Sequence, residues 1–115
     1  MTKILNKEDA LLKFENSARM HTDATELGDY KKANKNYKEI TDATHFLKMQ
    51  DSIHLLNNFL NSPSTGVRLW AATYILTIDE NKGIGVLEEI AKRQDIHSLT
   101  ARTIINEWRN GNLKL

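Results

Sequence analysis

The chain has 115 residues, 40% of them hydrophobic and 27% charged, with one proline, five glycines and no cysteine. A length of this order predicts a single domain over residues 1–115, large enough to bury a core without a covalent staple. The lack of cysteine excludes disulfide scaffolds and thiolate chemistry. A net charge of +1 leaves no global pull toward nucleic acid or an anionic membrane.

In chain order the pattern is helical throughout. Over residues 7–27, Leu11, Phe14, Ala18 and Thr25 recur at steps of three, four and seven residues on one face, and Gly28 follows as a C-terminal cap. Asp29 is placed to cap a second helix, whose buried stripe is predicted as Tyr30, Ala33, Tyr37, Ile40, Thr44 and Leu47. Lys31, Lys32, Lys35 and Lys38 point away from that stripe. A third helix carries Ile53, Leu56, Phe59 and Leu60 and stops before Pro63. Ser64 or Thr65 caps a fourth, with Val67, Trp70, Ala71, Tyr74, Ile75 and Ile78 facing inward. Residues 79–83 read as a polar loop, and the glycines as punctuation between helices. Val86, Leu87, Ile90 and Ala91 mark a fifth helix; Leu99, Ala101, Ile104, Ile105 and Trp108 mark a sixth. The expected fold is all-α, with no strand pattern in competition.

The second half repeats itself. Ile53, Leu55, Leu56, Phe59 and Leu60 align with Ile84, Val86, Leu87, Ile90 and Ala91 at a spacing of 31 residues. Ala71, Tyr74, Ile75 and Ile78 align with Ala101, Ile104, Ile105 and Trp108 at a spacing of 30. Helix pairs of this length are what an α-solenoid stacks, each covering its neighbour's open face. The expectation is therefore a solenoid of about six helices in stacked pairs.

The segment from Pro63 through Val67, Arg68, Trp70, Ala71 and Ala72 is similar to the start of the second helix of a HEAT repeat. Together with Gly28-Asp29-Tyr30, Val86-Leu87-Glu88-Glu89-Ile90-Ala91 and Glu107-Trp108-Arg109, it resembles a bacterial family of small HEAT-like domains of unknown function. The resemblance implies a HEAT-like fold and no catalytic residues. Small bacterial proteins of this kind recur as immunity proteins, which bind and block a toxin.

The residues themselves offer little chemistry. His21, His45, His54 and His97 form no His-Glu-x-x-His motif. Asp42 with His45, and Asp51 with His54, have i,i+3 spacing, but nine residues of helix turn through about 900° and put the pairs on opposite faces. No metal or other cofactor is expected. Ser62, Ser64 and Thr65 flank a proline and suit capping better than nucleophilic catalysis. No phosphate-cradling glycine motif occurs, and Glu88 and Glu89, adjacent on a helix, point about 100° apart. No enzymatic site is legible. The lysines of the second helix are interspersed with Glu39 and Asp42 at pairing distance, and its tyrosines are predicted to be buried, so nucleic acid is not the expected partner.

The first residues carry no apolar run of signal-peptide length, and the apolar stretch at 67–78 is broken by Arg68. A cytoplasmic protein without a membrane partner is expected. Arginines off the apolar stripe of the second-in-pair helices, at 65–78 and 97–110, would line the concave surface of a stack. Arg68, Thr73, Thr77, Arg102 and Asn106 are accordingly the candidate partner-binding residues. The partner is expected to be another protein, foremost a toxin domain, with an adaptor or regulatory role as the alternative. Lys31 and Lys35 on the second helix form the competing surface.

Overall fold

The computed structural model describes residues 3–115. Five α-helices and one 3-10 helix follow in order: α1 (Lys7–Leu27), α2 (Tyr30–Met49), the 3-10 helix (Ile53–Phe59), α3 (Thr65–Ile75), α4 (Glu80–Ala91) and α5 (Ile96–Arg109). No strand occurs among the described residues. The chain divides into two compact units, the first running to Leu55 and the second from Leu56 to Leu115.

In the first unit α1 and α2 form a hairpin. Asn6 caps α1 by accepting from the Asp9 N–H, and Gly28 ends it in the left-handed region at φ 72°. A side chain is strained at that φ, so glycine stops the helix at least cost. Asp29 then accepts from the Lys32 N–H and starts α2. Phe14 and Ala18 of α1 and Ile40, Ala43 and Leu47 of α2 are fully buried. Beside them, Lys13 and Glu39 make an ion pair from helix to helix, each side chain only 13% exposed.

Tyr30 and Tyr37 do not lie on the buried stripe as predicted; they are 82% and 49% exposed. The buried arc of α2 runs through Asn36, Ile40, Ala43, Thr44 and Leu47. Tyr37 sits at the edge of that arc, and α1 is too narrow a neighbour to cover it. At that edge its ring faces that of His21 of α1, the two centroids 6.5 Å apart.

The second unit is built from α3, α4 and α5, each of which contacts the other two. Ser64 caps α3 by accepting from Val67 N–H, and Asp79 caps α4 by accepting from Lys82 N–H. The predicted loop at 79–83 is thus the cap and first turn of α4. Gly83 is not punctuation either. A Cβ there would lie 2.8 Å from both the Ala72 carbonyl oxygen and Leu76 Cδ2, so glycine is what lets α4 approach α3. Asp95 opens α5 with a capping box shared with Ser98.

Three more expectations are corrected. The third helix is a 3-10 helix of seven residues, while α4, its counterpart in the internal repeat, is an α-helix of twelve. Few residues separate Ser52 from Pro63, and the residue before a proline is driven out of the α region. Ile78 is exposed because α3 ends at Ile75 and the chain leaves the helical period. Leu99 is 61% exposed, since the buried face of α5 runs through Ser98, Ala101 and Ile105, a turn of about 100° away.

Candidate partner-binding surface

α3 is enclosed on nearly every side. Gly66, Val67, Leu69 and all of Ala71 through Ile75 are buried, well beyond a single stripe. Thr73, predicted on an exposed face, is therefore interior at 1% exposure, and its hydroxyl donates to the Leu69 carbonyl at 2.7 Å. It is not available to a partner. With both α4 and α5 against it, α3 has little outer face to offer. Thr77 lies beyond the helix, exposed, and donates to the Tyr74 carbonyl.

The remaining candidates fall into two separate grooves on opposite sides of α4. Arg68 borders the first, of about 380 Å3, whose walls include Leu60, Asn61, Glu89, Ile90 and Arg93. Its Nη1 donates to the Ser62 carbonyl at 2.6 Å, which pins the guanidinium at the start of α3. Arg102 and Asn106 border the second, of about 320 Å3, with Glu88, Lys92 and Arg109. The Arg102 guanidinium is committed within the fold: Nε donates to the Ala91 carbonyl, and Nη2 to the Arg93 carbonyl and the Ser98 hydroxyl.

Arg93 was not among the sequence candidates. It donates to the Thr65 hydroxyl at 2.7 Å and pairs with Asp95 at 2.9 Å. No local pattern marks it, because its hydroxyl partner lies 28 residues away. Asp95, its ion-pair partner, has a displaced titration. Desolvation pushes its pKa up, but the Ser98 N–H, the Arg93 and His97 charges and the His97 N–H outweigh it and hold the group below its ordinary value.

The competing lysine surface belongs to the first unit. Lys35 borders a groove of about 500 Å3 between α1 and α2, opposite Leu12, Asn16 and Asp9. Lys38 pairs with Asp42 at 3.4 Å on the exposed side of α2.

No group of three or more His, Asp or Glu side chains able to hold a metal ion occurs among the described residues. Nor is any helix of those residues long and apolar enough to cross a membrane. No family model, curated protein or solved structure matches the chain.

Proposed function

We propose that the chain is a non-catalytic protein-binding module of HEAT-like, paired-helix type, acting as a bacterial immunity protein that sterically blocks a cognate toxin. The observation that carries the reading is the pair of open grooves flanking α4, each bordered by arginine and glutamate. Shallow grooves of mixed charge on rigid helices suit a protein surface better than a small metabolite, which calls for an enclosed, mostly apolar pocket. Arginine is also among the side chains that dominate binding energy at protein interfaces. The near-neutral net charge disfavours a strongly basic nuclease groove as the target, since such a groove selects an acidic inhibitor.

An adaptor or regulatory role in an unrelated pathway is the second reading, favoured by that same mixed charge, which selects no particular enzyme class. Affinity capture of the partner followed by assay of its activity separates the two. An immunity protein abolishes its partner's toxicity at a one-to-one ratio and restores growth of cells that express it. A partner whose activity is unchanged on saturation with the chain removes the immunity reading and leaves the adaptor.

A further inference from the structure

Arg68 and Arg93 reach one oxygen atom from different elements. Arg93 Nη1 donates to the Thr65 hydroxyl oxygen at 2.7 Å, and Arg68 Nη2 approaches the same oxygen at 3.5 Å. Two guanidinium charges converging on one neutral acceptor repel each other. Asp95 offsets Arg93 alone, and among the described residues no carboxylate pairs with Arg68. Each guanidinium has five N–H donors, of which these contacts and the Ser62 carbonyl use two apiece. The Thr65 hydroxyl, already an acceptor, keeps its own proton to donate.

The donors border a groove of about 380 Å3 whose apolar lining is the half-buried Val86, with Leu60 and Ile90 buried. Glu89 stands on its rim, and among the described residues it has no ion pair. We propose that this groove is a recognition site for a carboxylate attached to an apolar group, namely an aspartate or glutamate of a partner protein flanked by apolar side chains. The planar guanidinium fork matches a carboxylate bidentately. Val86 offers a neighbouring side chain an apolar contact, and Glu89 and Asp95 turn away doubly charged phosphate. The site rests on the protein-binding reading for the source of its ligand, but its chemistry can be tested without the partner.

The test is an NMR titration of the full chain, following the side-chain Nε–H signals of Arg68 and Arg93, with 4-methylpentanoate, acetate and inorganic phosphate as separate probes. Saturable shifts at both arginines are expected, with 4-methylpentanoate binding about twofold tighter than acetate and phosphate weakest. Arg68→Gln and Arg93→Gln each weaken 4-methylpentanoate by about tenfold, while Glu89→Gln tightens it about threefold, a gain that an unfolded chain cannot produce. Absence of saturable shifts, phosphate as the tightest probe, or no gain in Glu89→Gln overturns the site. If the probes behave as expected but no protein partner is ever bound, the groove stands and the protein-binding reading falls. Undiminished partner binding by the Arg68→Gln, Arg93→Gln double variant has the reverse meaning.

Discussion

The Arg102 Nε on α5 donates to the carbonyl of Ala91, the last residue of α4, at 3.2 Å. The final carbonyls of a helix have no partner inside it and carry partial negative charge. With Nη2 also directed at the Arg93 carbonyl, the guanidinium caps α4 from the neighbouring helix. Its exposure does not make it a free binding group. Arg102→Glu is accordingly expected to destabilise the fold by about 1 kcal/mol, through lost hydrogen bonds and a like charge at the helix C-terminus. Urea unfolding of the variant checks this. Arg68 makes no bond to the end of α4, so Arg68→Gln tests partner binding without uncapping that helix.

Two glycines two residues apart, Gly83 and Gly85, should respond oppositely to alanine. At Gly83 a methyl group would lie 2.8 Å from the Ala72 carbonyl oxygen, a backbone atom that cannot swing aside. Gly83→Ala is expected to cost about 2 kcal/mol despite alanine's better helix propensity. At Gly85 nothing lies within 4 Å, so Gly85→Ala should stabilise by about 0.5–1 kcal/mol. Denaturant midpoints at constant m-value measure both. Equal responses would mean that α3 and α4 are not in this close contact.

Charge placed on the inner faces should separate buried from merely apolar positions. Ala71 is fully buried and Ile104 nearly so. Ala71→Asp or Ile104→Asp puts an unpaired carboxylate into the interior and is expected to cost about 3 kcal/mol or more, abolishing cooperative thermal unfolding. Leu99→Asp, at an exposed position of α5, should stay within about 0.5 kcal/mol of the parent. Circular dichroism melting distinguishes the three.

Stability should fall in two steps on acidification. Burial lowers the pKa of His21 below its ordinary 6.5, so the folded state favours neutral imidazole. Its contribution is present above pH 6.5 and is lost as the pH falls through the lower folded value. Asp95, held below its ordinary 3.8, contributes above that pH and loses the contribution as the pH falls through its own folded value. His21→Gln is expected to flatten the first step and Asp95→Asn the second. Urea midpoints measured between neutral pH and the acid limb check both slopes.

Helix existence and order, and the caps Gly28, Asp29 and Ser64, were written in the sequence, because these follow from neighbours within four residues; the caps Asn6, Asp79 and Asp95 were not read from it. Asp29, Ser64 and Gly28 each act on a backbone group close by in the chain. The 3.6-residue period likewise located Phe14, Ile40, Ala71 and Ile104 in the interior. Tertiary structure decided how wide each buried face is. α2, against α1, buries a narrow arc and leaves Tyr30 and Tyr37 outside; α3, with α4 and α5 against it, buries Thr73 as well as its stripe. It also decided which arginines meet, bringing Arg93 to Thr65 and Arg68 while sending Arg102 to the end of α4. Periodicity reports the direction in which a side chain leaves its own helix. How much of that direction is covered, and by what, depends on the number and closeness of neighbouring helices brought in from distant parts of the chain.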